Sequence, residues 1–471
     1  MSADSPTDAA AAPRRSPVFA AKLGLARVAG RLIRLSGRGG GTTLPGRLLV
    51  RLAPDAIQRL APGLEGGSIV VSSTNGKTTT AGMISGILRA DGREPVHNRA
   101  GSNMTWGIAT ALLQQKGDEG LFEVDEAWLP KVADQLDPSL FVLGNLFRDQ
   151  LDRYGEIEAL ADGWAQTVER HSGSSRFVLN ADDPLIADLG RDGDGKRRTG
   201  VVYFGLDDRS QALAELQHAF DAKHCRRCGH PYAYERAFVG HLGHYSCPNC
   251  GASRPAPEVA ATAVELHGMD GSTVSVRSPA GELTLELPLP GLYNVYNALA
   301  AVAAGISLGV APGRIELALR EVRTAFGRVE TLAVAGKAAS ILLVKNPAGT
   351  NEVLRTLTLE ADGGIDLWLA LNDGIADGRD ISWIWDADFE LLGGAVRRVT
   401  CAGTRAAEMA LRLKYAGWPL EAIEVVPEIG DSFDRAVAAA PERLFALPTY
   451  TALLELHRIL SGRGLAEEFW R

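Results

Sequence analysis

The feature that most constrains this chain is Ser68-Ile69-Val70-Val71 running into Ser72-Ser73-Thr74-Asn75-Gly76-Lys77-Thr78-Thr79-Thr80. The first part reads as a buried strand, the glycine marks a turn, and a helix is expected to open near Thr78. A loop between a strand and a helix N-terminus presents backbone N–H groups to phosphate oxygens. A lysine there neutralises terminal phosphates, and a hydroxyl there can ligate Mg²⁺. Thr74, Asn75, Gly76, Lys77, Thr78 and Thr79 are therefore the candidate ATP-binding residues, with Lys77 also a catalytic candidate. The first glycine of the usual GxxxxGK[ST] pattern is absent, since Val71 occupies its place.

Short apolar segments alternate with helical ones from about Pro54 to Gly190. Gly120 to Val124, Leu140 to Leu143 and Phe177 to Leu179 are further strand candidates, which predicts an α/β fold with a parallel-rich sheet. Ligands of such sheets bind beyond the carboxyl ends of the strands. Glu123 ends one predicted strand and is the candidate partner of Thr78 for magnesium. Asp149 and Asp152 follow another; solvated loop charge is the competing reading for all three acids. Thr273 to Leu287 reads as a hairpin turning at Pro279-Ala280-Gly281, and Asn294 to Leu308 as a helix. A second α/β unit is expected from about Thr331, with strands at Ile341 to Val344, Leu367 to Leu371 and Val399 to Cys401.

Cys225-Arg226-Arg227-Cys228 and Cys247-Pro248-Asn249-Cys250 form two knuckles, each followed by glycine. Two thiolates per knuckle complete a tetrahedral zinc site of a structural kind, because four protein ligands leave no open position. A redox pair is the alternative. His224, His230, His241 and His244 are expected mostly at the surface or in turns, and Cys401 in a core strand.

At 471 residues the chain exceeds one ordinary core. Lys and Arg number 49 against 57 Asp and Glu, a net charge of -8 that opposes wholesale wrapping of nucleic acid. With no apolar run of membrane-spanning length and no secretory leader pattern in residues 1–16, the expected location is the cytoplasm. Val18 to Leu35 has helical periodicity with Lys22, Arg27, Arg31 and Arg34 interleaved. It reads either as a helix packed on the body or as one lying on an anionic membrane surface.

The motifs together resemble the Mur ligase superfamily. The resemblance is carried by Thr74 to Thr80, Asn98 to Asn103, Asn180-Ala181-Asp182-Asp183-Pro184, Gly291 to Asn297, and Phe326-Gly327-Arg328-Val329-Glu330, in the family order. It departs where Gln150 and Tyr293 replace histidines, where no lysine lies between Asp149 and Arg191 to be carbamylated, and where Leu343-Val344-Lys345-Asn346-Pro347 replaces DYAHNP. Trp164 falls near the expected lysine. Asn145 to Glu156, the cysteine insertion and Asp377 to Asp386 are more similar to the MurT branch.

That resemblance implies a Mur ligase-type central domain at residues 56–325, interrupted by the zinc ribbon at 222–256. A tail (1–16) and a helical segment (17–55) would precede it, and a smaller α/β domain (326–471) would follow and contact a partner. Asn180 and Asn294 would surround adenine and Arg328 would lie near the phosphates. The implied activity is ATP-dependent activation of the D-glutamate α-carboxylate of lipid II as an acyl phosphate, amidated with ammonia. The implied partner is a GatD-like class I glutamine amidotransferase, to whose triad Asp380, or failing it Asp377, would add the aspartate. Trp383 and Trp385 read equally as interface anchors or core aromatics. An amino-acid ligase of the folylpolyglutamate synthetase kind, and a zinc-ribbon ATPase acting on nucleic acid, are the competing readings.

Overall fold

A computed structural model describes residues 16–35, 43–99, 102–149, 157–218, 220–322, 329–360 and 364–466. The expected tail, apart from Ser16, lies outside them, as do Gln150, Asp152 and Arg328.

The chain opens with helices α1 (Pro17–Leu35), α2 (Leu44–Leu52) and α3 (Ala56–Leu60). There follow β1 (Ser68–Ser72), α4 (Lys77–Ala90), β2 (Val96–His97), α5 (Thr105–Gln114), β3 (Gly120–Glu123), α6 (Leu129–Leu136) and β4 (Leu140–Leu143). Next come α7 (Ile157–His171), β5 (Arg176–Asn180), α8 (Pro184–Ala187) and β6 (Val201–Leu206). The two-stranded β7 (Ala233–Val239) and β8 (Leu242–Ser246) precede β9 (Val259–Leu266), β10 (Ser272–Ser278) and β11 (Gly281–Leu287), with α9 (Leu292–Ser307) and α10 (Pro312–Arg320) behind them.

These strands form a nine-stranded sheet in the order β11-β10-β9-β6-β5-β4-β1-β3-β2, parallel from β2 through β9, with β9-β10-β11 antiparallel. Its side chains alternate between two cores. Ile69, Val71 and Val142 pack with α4 and α9 on one face, while Val70, Phe122, Phe141 and Phe177 pack with α6 and α7 on the other. Burial on both faces is what makes these parallel strands continuously apolar.

A second sheet is built from β12 (Val329–Val334), β13 (Lys337–Leu342), α11 (Pro347–Thr358), β14 (Ile365–Ala370), β15 (Val396–Ala402), α12 (Ala406–Tyr415), β16 (Ile423–Val425), α13 (Ile429–Ala439), β17 (Arg443–Pro448) and α14 (Tyr450–Gly462). Its strand order is β12-β13-β17-β14-β15-β16, with only β12 antiparallel. Cys401 lies fully buried on β15, where desolvation pushes its thiol up to about 12.

Among the described residues no helix is long and apolar enough to cross a membrane. In α1 only part of the expected apolar set faces inward. Phe19, Leu23 and Ala26 are buried, whereas Leu25, Val28 and Leu32 are exposed.

Candidate active site

Gly76 ends the loop after β1 and caps α4 with φ 88°. A side chain is excluded there twice over: the backbone is left-handed, and a Cβ would fall 1.9 Å from Asn297 Oδ1. The loop is held by the segment that follows β4. Asn75 N–H donates to Asn145 Oδ1 at 2.9 Å, Asn145 Nδ2 donates back to the Asn75 carbonyl at 3.0 Å, and Phe147 N–H donates to Thr74 Oγ1 at 3.1 Å. Thr79 lines the adjoining cavity, and Thr80 Oγ1 donates to Asn297 Oδ1 at 3.3 Å.

Lys77 is buried and donates to the Ser73 carbonyl at 3.0 Å and to Glu126 Oε2 at 2.9 Å. Burial alone would lower its pKa, but Glu126, then Glu123 and Asp125, outweigh burial and hold it above the ordinary lysine value. Burial likewise works to raise Glu126, and Lys77 with Lys345 holds it below the usual range. Trp164 Nε1 donates to the Glu126 carbonyl at 2.9 Å and so backs this pair.

Thr78 Oγ1 donates to Glu123 Oε1 at 2.9 Å. Two hard oxygen donors this close, beside a phosphate loop, fit Mg²⁺. Asn98 fixes the end of β3 by accepting from the Glu123 N–H at 2.9 Å and donating to its carbonyl at 2.8 Å.

Asn180 and Asn294 do not converge in one cavity. Asn294 lines the larger one, between the phosphate loop and α11, together with Phe147, Tyr293, Leu343 and Val353. Asn180, whose Oδ1 accepts from Asp182 N–H at 2.9 Å, lines a smaller neighbouring recess with Asn145 and Asn297. Asn297 bridges the two recesses and donates to Asn294 Oδ1 at 3.0 Å.

The C-terminal unit completes the site. Asn346 Nδ2 donates to Asn75 Oδ1 at 3.0 Å, and Lys345 Nζ pairs with Asp149 while lying 3.4 Å from the Thr74 carbonyl. Glu352 lines the larger cavity with both carboxyl oxygens buried and without a hydrogen-bond partner; its nearest cation, Arg355 Nη1, is 4.0 Å away. Sequence reasoning passed over Glu126, Asn145, Asn297, Lys345, Asn346 and Glu352 as site residues. Asn145, Asn297, Lys345 and Asn346 stood inside motifs already quoted and Glu126 only three positions after Glu123, so the signal was present, whereas Glu352 carried none.

Lys345 and Asp149 also face a second cleft, lined by Arg148, Asn346, Asp377, Asp380, Ser382 and Trp383. The two candidate aspartates differ there. Asp377 is buried and turned inward, accepting from Thr451 N–H at 2.8 Å and from the Thr451 hydroxyl. Asp380 is exposed and accepts from Ser382 N–H at 2.8 Å; that bond, with the Ser382 side chain, holds its carboxyl below the usual range. Trp383 is partly buried against the C-terminal core, and Trp385 is about half exposed beside Tyr415.

The four cysteines bring their sulfurs within 4.8 Å of one another, with Cys225–Cys250 at 3.6 Å and Cys228–Cys247 at 3.4 Å. Four thiolates around one tetrahedral zinc would stand about 3.8 Å apart, so this set fits that ion. Gly229 and Gly251 take φ 72° and 73° at the knuckle turns. His241 lies in the β7–β8 turn, within the expectation for it, but it is not exposed there. It is fully buried at the β7–β8 tip, its ring tilted against Phe147 and its Nε2 3.4 Å from Asp183. The tip folds back into the central unit, where Gly243 N–H donates to the Asp182 carbonyl at 2.9 Å.

Comparison with known proteins agrees with this architecture. Residues 71–256 match the Mur ligase middle domain and residues 343–453 the MurT ligase C-terminal domain. The chain is 34% identical over 442 residues to the lipid II isoglutaminyl synthase (glutamine-hydrolyzing) subunit MurT of Streptococcus pneumoniae, covering 92% of this chain and 95% of that one. It is 32% identical over 449 residues to the corresponding Staphylococcus aureus subunit, covering 93% and 98%. Among solved structures, a pseudomurein peptide ligase type C from Methanothermus fervidus superposes with a TM-score of 0.68 at 22% identity, over 86% of this chain and 81% of that one. MurF from Acinetobacter baumannii does so with 0.62 at 16%, over 87% and 80%. With its Mur-type fold and its match along nearly the whole length of these relatives, the chain belongs to the MurT family of ligases.

Proposed function

We propose that this chain is the synthetase subunit of a glutamine-dependent lipid II amidating enzyme in peptidoglycan biosynthesis. The substrate is the α-carboxylate of the D-glutamate residue, and the product is D-isoglutamine. The observation that carries the division of labour is the shared cleft, with Lys345 beside the phosphate loop and exposed Asp380 on the same walls.

A carboxylate is a poor electrophile. Its oxygen attacks the γ-phosphorus of ATP, ADP leaves, and the acyl phosphate then accepts ammonia at carbon with loss of phosphate and a proton. Lys77, held charged by its acidic neighbours, neutralises the phosphates, and the loop N–H groups orient them. Thr78 and Glu123 would hold Mg²⁺, which supplies charge neutralisation on the phosphate oxygens. Ammonia is mostly protonated near neutrality, so a GatD-like glutaminase partner in a heterodimer would deliver it. Asp380, ionised and exposed, would orient that partner's histidine. The cysteine set would hold zinc structurally. A lipid-linked substrate would put the reaction at the inner face of the plasma membrane.

The test is co-expression with a GatD-like protein and mass analysis of lipid II supplied with ATP and either glutamine or ammonium. The expected product shows replacement of one carboxyl OH by NH₂. Asp380→Asn should lose the glutamine-dependent reaction and keep the ammonium-dependent one. Equal loss with both nitrogen sources would remove Asp380 from the triad.

A further inference from the structure

Residues 16–52 contain seven Lys and Arg and no Asp or Glu, in a chain whose net charge is -8. The same stretch carries Val18, Leu25, Val28, Leu32 and Leu44, all 52–65% exposed. On α1, at about 100° per residue, Val18, Leu25, Val28 and Leu32 fall on one stripe. The stripe lies opposite Phe19, Leu23 and Ala26, which are buried against the body. Arg31 borders it on one side and Lys22 on the other, Arg27 lies nearer the buried side, and α2 adds exposed Arg47 and Arg51.

This helix is therefore apolar on two sides. One side is accounted for by the core. The other is an apolar stripe between cations, the pattern of a helix lying in a lipid headgroup layer.

The support beneath it is rigid. Gly46 of α2 meets α5 so closely that a Cβ would fall 1.8 Å from the Trp106 carbonyl, and Gly46 N–H donates to Thr110 Oγ1 at 2.9 Å. Arg27 Nε donates to the Leu113 carbonyl at 3.2 Å, and Lys22 Nζ to that of Leu52 at 2.6 Å. Helix α5 follows directly on the Asn98 segment that fixes Glu123, so α1 and α2 are fastened to an element that also borders the active site.

We propose that the outward face of α1 and α2 is a docking surface for an anionic lipid bilayer. Its apolar stripe would enter the headgroup layer and its arginines pair with lipid phosphates, bringing the site to a membrane-bound substrate. Only that purpose rests on the lipid II reading; the surface itself does not.

The test uses the full chain with vesicles of phosphatidylcholine, alone or mixed with phosphatidylglycerol, read by co-sedimentation. Binding should require phosphatidylglycerol and weaken with salt. It should fall at least about tenfold in the V28N/L32N double variant and in the R31E/R47E/R51E triple variant. Absent binding, equal binding to both vesicle types, or unchanged binding by both variants would overturn the proposal. So would concentration-dependent self-association abolished by V28N/L32N, which would assign the face to a second copy. Amidation of a short-chain, water-soluble lipid II analogue should be unchanged in V28N/L32N. If the parent complex fails to amidate that analogue while binding vesicles normally, the functional reading fails and the docking surface stands.

Discussion

Arg355 donates from Nη1 to the Phe238 carbonyl at 2.9 Å, and from Nη2 to the Gln211 carbonyl at 2.9 Å. One guanidinium on α11 thus joins the C-terminal unit to the hairpin of the cysteine insertion. Val239 and Leu242, on the tip of that hairpin, line the cavity beside the phosphate loop. The insertion is part of the cavity wall rather than an appendage, and the knuckles at its base hold the hairpin.

Loosening the knuckles should therefore reach the nucleotide. Cys247→Ser is expected to lower bound zinc, measured by metal analysis, and to weaken ATP by about tenfold in calorimetric titration, roughly one contact's worth of 1.4 kcal/mol. Arg355→Ala should keep the metal but cost about 2 kcal/mol in denaturant unfolding, because it strips charged hydrogen bonds from buried carbonyls. Full ATP affinity in a zinc-free variant would show that the ribbon does not support the cavity.

Lys77 and Glu126 form a buried pair, so removing either leaves an uncompensated charge. Glu126→Gln should destabilise the protein by about 3 kcal/mol in urea unfolding and reduce ATP affinity, since Lys77 loses its positioning partner. Lys77→Met should abolish turnover with either nitrogen source. A Glu126→Gln protein with unaltered unfolding midpoint would show that the pair is solvated in solution.

Glu352 supplies a pH dependence. Burial, opposed only weakly by Arg355, raises its pKa from 4.5 to about 7. The native state holds this proton more tightly than the unfolded chain does. Its contribution is therefore fully present below the unfolded value of 4.5 and is lost as pH rises through about 7. The shift corresponds to about 3 kcal/mol across that window. Glu352→Gln should flatten this part of the stability profile of the ligand-free protein, measured by thermal melting between those values. Superimposable slopes for parent and variant would mean that the carboxyl is hydrated.

The strand, turn and helix around Thr74 to Lys77 were legible because their determinants are local: a continuous apolar run, a glycine whose φ is positive, and threonines at a helix start. The knuckles were legible for the same reason, through CxxC followed by glycine. What the chain order hides is approach from a distance. Asn346 reaches Asn75 across 271 positions, and no local pattern marks Glu352 as facing the same cavity. The turn at His241 was legible but its burial was not, because a histidine in a Gly-rich tip looks exposed until that tip folds onto Phe147 and Asp183. The ranking of Asp380 over Asp377 gains physical content only through Thr451, which holds Asp377 turned inward.

Lys345 takes the place of a histidine in the motif it replaces, and it brings a charge from the C-terminal unit to the phosphate loop, 3.4 Å from the Thr74 carbonyl. It pairs with Asp149, and it also helps to hold Glu126 ionised. A fixed cation beside a phosphate loop acts most on the charge that develops during transfer. Lys345→Met is accordingly expected to lower kcat by about 100-fold with both glutamine and ammonium, while ATP binding changes little. Asp149→Asn, which releases rather than removes the cation, should have a smaller effect. The contrast with Asp380→Asn is the decisive measurement, because that variant should be rescued by ammonium and Lys345→Met should not. Rescue of Lys345→Met by ammonium would move Lys345 from phosphate chemistry to nitrogen delivery.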